Sequence, residues 1–155
     1  MRIKVINQAI ALLVLLLTFS GCSVEKNNTT TQSILEAGTH LVNVEKLEVY
    51  HFHATRQCYT CKTVGAFSEE TVNTYFSDEL KSGKLVFAHV NIDLAENKAL
   101  VDKYESKGAS LLIGVYGKDG TFSKQEDTNV WYKISDKEEY LSYLKGVIEQ
   151  KLAGN

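Results

Sequence analysis

From residue 46 onward the apolar residues change spacing in blocks, and each block predicts one element. KLEVYHFH (46–53) alternates apolar and polar positions and is rich in β-branched and aromatic residues, the two-residue period of a strand. From residue 58, CYTCKTVGAFSEETVNTYFSDELKSG places Val64, Phe67, Val72, Tyr75, Phe76 and Leu80 at mostly helical spacings, with Gly83 as a stop. KLVFAHVNID (84–93) is apolar enough to be a central strand, and AENKALVDKYESKG reads as a short helix closed by Gly108. SLLIGVY and TFSKQ flank GKDG, whose Asp-Gly pair is a hairpin signal. SDKEEYLSYLKGVIEQKLAG gathers Tyr140, Leu141, Leu144, Val147, Ile148 and Leu152 on one helical face, and Ser135 with Glu138 forms a capping box at its start. The expected order is β-α-β-α-β-β-α.

The segment before residue 46 has a different character. MRIKVINQAIALLVLLLTFSGC begins basic at Arg2 and Lys4, continues with an apolar run from Ala9 to Leu17, and ends on small residues before Cys22. That layout predicts a secretory signal peptide over 1–21, too short and wrongly flanked for a membrane span. FSGC resembles a bacterial lipobox, which implies lipidation at Cys22, although Phe19 stands where Leu is usual. SVEKNNTTTQS is polar and aperiodic, so residues 22–45 are expected to form a flexible tether between the lipid and a domain over 46–153. The expected location is therefore a bacterial membrane, facing the periplasm or the cell exterior. His40 falls in the tether and receives no role.

Charge excludes one class of partner. The chain carries 17 Lys and Arg against 19 Asp and Glu, and removal of Arg2 and Lys4 would make it more acidic still. A mildly acidic chain with no basic run gives no reason to expect nucleic-acid binding. Of three cysteines, lipidation of Cys22 leaves two, too few to staple a small domain, so the core must be hydrophobic.

Those two lie in HFHATRQCYTCK (51–62). If Cys58 opens the long helix, the unsatisfied N–H groups and the positive end of the dipole favour a thiolate there, with Arg56 adding charge if it points inward. Cys61, one turn on, is placed to close a disulfide and is the more buried of the pair. A purely structural disulfide is poorly served by so small a loop. Together with VNIDLAENKALVDKYESKGAS and LLIGVYGKDGTF, this stretch resembles the thioredoxin superfamily across roughly residues 45–153.

The resemblance implies a three-layer α/β/α sandwich with a central mixed sheet. It implies further that Cys58 is the attacking sulfur and Cys61 the resolving one, in an exported, anchored thiol-disulfide oxidoreductase. Its substrates would be disulfides of envelope proteins, its reductant a membrane electron-transfer thiol protein, and its redox carrier the cysteine pair itself, with no organic cofactor. Gln57, Tyr59 and Thr60 complete the immediate neighbourhood of the pair. By the same resemblance His51 falls near the place of a buried acid that accepts a proton, and His53 near the following aromatic; parity puts both on one strand face. Either one of them moves protons to and from Cys61, or both are hydrogen-bonded histidines at a strand end. His89 lies mid-strand, opposite in direction to Val86, Ala88 and Val90, and approach to the same region is open. The chain has no proline, so Ser110 occupies the place of the family's cis-proline, and a trans bond and a differently shaped groove are expected.

Two other functions compete. Cys58, Cys61, His51 and His53 amount to a Cys2His2 set for copper(I) or zinc. Alternatively the fold is an idle scaffold whose aromatics, among them Phe67, Tyr75, Phe76, Trp131 and Tyr132, bind a partner, although aromatics at such spacings are more often core.

Overall fold

The computed structural model describes residues 43–155. The expected signal peptide, Cys22 and the tether up to residue 42 lie outside the described residues.

The elements are β1 (Val44–His53), α1 (Tyr59–Tyr75), α2 (Ser77–Ser82), β2 (Leu85–Asn91), α3 (Lys98–Tyr104), β3 (Ser110–Gly117), β4 (Phe122–Glu126) and α4 (Lys137–Leu152). Short 3-10 turns at Ala95–Asn97 and Asn129–Tyr132 precede α3 and α4. The sheet order is β2-β1-β3-β4, with β1 and β2 parallel and the other two pairings antiparallel. This is the α/β/α sandwich with a mixed sheet that the periodicity and the resemblance led us to expect, a thioredoxin-like fold.

β1 is flanked on both edges and covered on both faces, which is why its apolar run is nearly continuous. Leu47 and Val49 point into a core with Val64 and Val72 of α1, Leu111 and Ile113 of β3, and Leu144 and Ile148 of α4. Tyr50 and Phe52 point the other way, into a smaller cluster with Val90, Tyr104 and Leu112. Tyr140 of α4 ties the two helices of the larger core together: its hydroxyl donates to the Val64 carbonyl at 3.1 Å and shares a 2.7 Å hydrogen bond with Ser68. On the opposite face Glu48, 6 % exposed, accepts hydrogen bonds from Tyr104 and Tyr116 on one oxygen and from Lys46 on the other.

Several boundaries differ from expectation. β1 starts at Val44, two residues inside the expected tether, because Val44 pairs with Gly117 and is buried. The single helix expected over 58–83 is two: Phe76, at φ −129°, turns the chain so that its own ring enters the core and Leu80 packs behind it. Gly83 does stop the second helix, in the left-handed region at φ 75°. α3 ends earlier than Gly108, at Glu105, which takes φ 53° while the Ser106 N–H returns to the Val101 carbonyl. The cap of α4 is shifted by one residue from the expected Ser135–Glu138 box: the Asp136 carboxylate accepts the Glu139 N–H at 2.9 Å. Trp131 sits in the 3-10 turn and packs against the larger core, whereas Tyr132 is exposed. Among the described residues no helix is long and apolar enough to cross a membrane.

Candidate active site

The β1–α1 connection sets the site. The Thr55 N–H donates to the Asp93 carboxylate at 2.8 Å, and Asn91 donates to the Thr55 hydroxyl at 3.0 Å, so the loop is pinned to the end of β2. The chain then enters α1 with Cys58 as N-cap, in an extended conformation (φ −76°, ψ 172°). Here the first N–H groups of the helix have no carbonyl partner and leave the positive end of the helix at the sulfur.

The two thiols differ in environment. Cys58 is exposed, and the backbone N–H of Cys61, followed by that of Thr60, holds its pKa below the ordinary thiol value. Arg56 is exposed and is not among the groups that set it, so the positive charge expected from that side chain is replaced by main-chain dipoles. Cys61, one turn deeper, is buried; burial pushes its pKa up, and the charge on Cys58 adds to the rise. Both are free thiols in this structure.

Behind Cys61 lies His51, only 1 % exposed, with Nε2 at 3.5 Å from the Cys61 sulfur. Its Nδ1 is 3.0 Å from Nδ1 of His89. The parallel register explains the meeting, since His51 and His89 are direct partners across β1 and β2. Burial, then the neighbouring His89 and His53, push the His51 pKa down to about 4, so the imidazole is neutral at physiological pH. His53 stacks on His51 with ring centroids 5.4 Å apart, but its own Nδ1 donates to the Ala54 carbonyl at 2.9 Å. Of the two histidines that parity placed on one face, His51 is the one in contact with Cys61.

Gly65 makes room for this arrangement. A Cβ there would lie 2.6 Å from His51 Nδ1, 2.7 Å from its Cε1 and 3.1 Å from His89 Cε1. Only a residue without a side chain lets α1 come this close to the two rings. His51, His53, His89, Gln57 and Lys62 face an open cavity of about 380 Å³ beside the helix. Tyr59 projects into solvent next to Cys58, 78 % exposed, and the Thr60 side chain adds a smaller lowering of the Cys58 pKa.

Ser110 starts β3 opposite Phe52 and is buried, but it lines a separate cavity of about 470 Å³ with Glu105, Gly108 and Lys124. Among the described residues no group of three or more His, Cys, Asp or Glu side chains is arranged to hold a metal ion. The Cys2His2 set of the competing reading is thus not assembled. Gly65, and Glu69 of α1, whose carboxylate lies 3.4 Å from Nε2 of His89, were missed by sequence reasoning. The available signal for Gly65 was a glycine in the interior of a helix, a position where it costs about 1 kcal/mol against Ala and so asks for a packing reason.

No family model matches the chain, and no curated protein matches it. Among solved structures, the chain is similar to the Trx4 domain of ERdj5, at 14 % identity and a TM-score of 0.45 over 71 % of this chain and 86 % of that one. It is similar also to thioredoxin O2 from Arabidopsis thaliana in the oxidized state, at 18 % identity and 0.42 over 68 % and 75 % of the two chains. A thioredoxin from Thermus thermophilus gives 19 % and 0.42 over 66 % and 74 %. At these identities and scores the likenesses carry no argument about the site, which stands on its own geometry.

Proposed function

We propose that the chain is a thiol-disulfide oxidoreductase that reduces or exchanges disulfides in other proteins. The observation that carries this reading is the division between the cysteines: an exposed, acidified Cys58 at a helix start, and one turn deeper a buried Cys61 held against a neutral imidazole. A structural disulfide needs no such division.

The chemistry follows from it. The Cys58 thiolate attacks one sulfur of a substrate disulfide; that bond breaks, one substrate sulfur leaves as thiolate, and a mixed disulfide forms. Cys61 gives its proton to Nε2 of His51 and attacks the Cys58 sulfur. The bond between Cys58 and the substrate breaks, the second substrate sulfur leaves, and the enzyme holds a Cys58–Cys61 disulfide. Two electrons have passed to the substrate, and a thiol reductant must return them. His51 is the proton acceptor because it touches Cys61, whereas the His53 Nδ1–H is spent on the Ala54 carbonyl.

The signal-like start and Cys22 support placing this activity at a bacterial membrane, on the periplasmic or outer side, with envelope proteins as substrates. A membrane electron-transfer thiol protein would then supply the electrons. The testing experiment is a titration of the free thiols of Cys58 and Cys61 in buffers of defined potential. A single two-electron transition between roughly −120 and −270 mV fits an exchanger, whereas one below about −300 mV fits a structural bond and refutes the proposal.

A further inference from the structure

The hydrogen bonds around His51 do not stop at His89. Nε2 of His89 lies 3.4 Å from the carboxylate of Glu69, on α1. The sequence of contacts is therefore Cys61 sulfur to His51 at 3.5 Å, His51 to His89 at 3.0 Å, and His89 to Glu69 at 3.4 Å. It begins at a buried thiol and ends in solvent, since the Glu69 side chain is 53 % exposed and that of His89 37 %.

Proton counting makes this chain of contacts directional. A neutral imidazole carries one N–H and one bare nitrogen. Two Nδ1 atoms 3.0 Å apart require that one of them carry a hydrogen and the other not. If His51 carries it, its Nε2 is bare and accepts the Cys61 S–H, while the His89 Nε2–H donates to the Glu69 carboxylate. If His89 carries it, His51 Nε2–H donates to a Cys61 thiolate, and His89 Nε2 accepts from a protonated Glu69. Both arrangements satisfy every group, and they differ by the shift of three protons, one across each contact.

We infer that His89 and Glu69 form a proton relay that carries the Cys61 proton through His51 to solvent during resolution of the mixed disulfide. The inference rests on the exchange function proposed above. His89 and Glu69 are positioning and proton-passing residues and do not touch the reacting sulfurs. In the step itself Cys61 loses its proton to His51 Nε2, the His51 Nδ1 proton passes to His89, and the His89 Nε2 proton passes to Glu69. Glu69 releases a proton to water, and the departing substrate thiolate takes one from water, so protons balance.

The relay answers a difficulty at His51. A buried imidazole with so weak a basicity holds a charge poorly, so a proton that stopped there would be returned to the thiolate. Passing it on leaves His51 neutral throughout. Among the described residues, these titratable groups lie around the relay. His51 faces Cys61 of α1, His89 of β2 and His53 of its own strand; His89 faces His51, Glu69 and, with ring centroids 6.4 Å apart, His53; Lys62 shares the open cavity.

The test is the reaction of the reduced full-length chain, with Cys22→Ser to leave two thiols, with 5,5′-dithiobis(2-nitrobenzoate) in detergent. The first nitrothiobenzoate released reports attack by Cys58, and the second reports attack by Cys61 on the mixed disulfide. Glu69→Gln and His89→Gln should slow the second release on the order of tenfold or more at about pH 7. The deficit should vanish in alkali, where Cys61 is already a thiolate, and the first release should be unchanged. Two outcomes overturn the relay but leave the exchange function standing: a second release as in the parent in both variants, or a slowing by one constant factor at every pH. Absence of a second release in the parent overturns both proposals.

Discussion

Substitution of Gly65 by Ala should destabilise the protein, against the rule for helix interiors. In an unencumbered helix this change gains about 1 kcal/mol, because Ala loses less backbone freedom on folding. Here the new Cβ would sit 2.6 and 2.7 Å from two atoms of the His51 ring, which is wedged between α1 and the sheet and cannot swing away. Overpacking of this kind costs about 1–3 kcal/mol, so towards the upper end of that range the net loss is about 1–2 kcal/mol. Urea unfolding at unchanged slope would read it as a lower midpoint. The decisive comparison repeats the substitution in a His51→Ala background. There the two closest atoms are gone, only the His89 contact at 3.1 Å remains, and Gly65→Ala should become neutral or stabilising. The coupling between the two positions should be about 1–3 kcal/mol, the size expected of residues in direct contact. Equal stability changes in both backgrounds would refute the argument that Gly65 exists to admit the ring.

Three further outcomes are expected. Cys58→Ser should abolish disulfide exchange with a peptide substrate, while Cys61→Ser should accumulate a mixed disulfide visible as added mass; full activity of the Cys58→Ser protein would reverse the assigned roles. Because burial, with His89 and His53, lowers the His51 pKa from 6.5 to about 4, the unfolded chain binds a proton there that the fold refuses. Its contribution is complete above about pH 6.5 and is lost as pH falls toward 4, about 3 kcal/mol in all, and a His51→Gln variant should show a correspondingly flatter stability profile across that window. Burial alone would raise the Glu48 carboxyl, but hydrogen bonds from Lys46, Tyr116 and Tyr104 more than offset it and hold the pKa below its ordinary value. That stability is present above the unfolded carboxyl's pKa and lost as pH falls through the folded one; Glu48→Gln should cost about 1–3 kcal/mol near neutrality and flatten the acid limb.

The elements were legible where one period ran uninterrupted between turn signals. β1 announced itself by alternation, the β3–β4 turn by Asp119-Gly120, with Gly120 at φ 82°, and α4 by its apolar face. Phe76 was not legible as a break because Val72, Tyr75, Phe76 and Leu80 keep helical spacing across it; the turn is dictated by the core into which the Phe76 ring fits. The cap of α4 moved from Ser135 to Asp136 because adjacent residues both suit the role, and only the chain's path selects one. At the site, strand parity correctly put His51 and His53 together, since it depends on one strand alone. The contact of His51 with His89 depends on the register between two strands 38 residues apart, and that of His89 with Glu69 on where α1 crosses the sheet. Neither is a local property, which is why the cysteines could be read in advance and the path from them to solvent could not.

A histidine rather than a carboxylate behind the resolving thiol changes what the site tolerates. A buried carboxylate must carry its charge at neutral pH or give up its role as acceptor, and an uncompensated buried charge is costly. His51 is neutral instead, and each of its ring nitrogens has a partner. A charge on His51 would be repelled by its neighbour 3.0 Å away, so the contact with His89 adds to burial in keeping His51 neutral. An exposed imidazole near 6.5 would be protonated, and therefore blocked as an acceptor, at about pH 5. His51, pushed down to about 4, is still free there. The same burial that keeps it free makes it a weak base, and the contact with His89 relieves that weakness by removing the proton as it arrives. On this reasoning His51 itself should stay available to accept the Cys61 proton well below the pH at which an ordinary histidine would already be protonated.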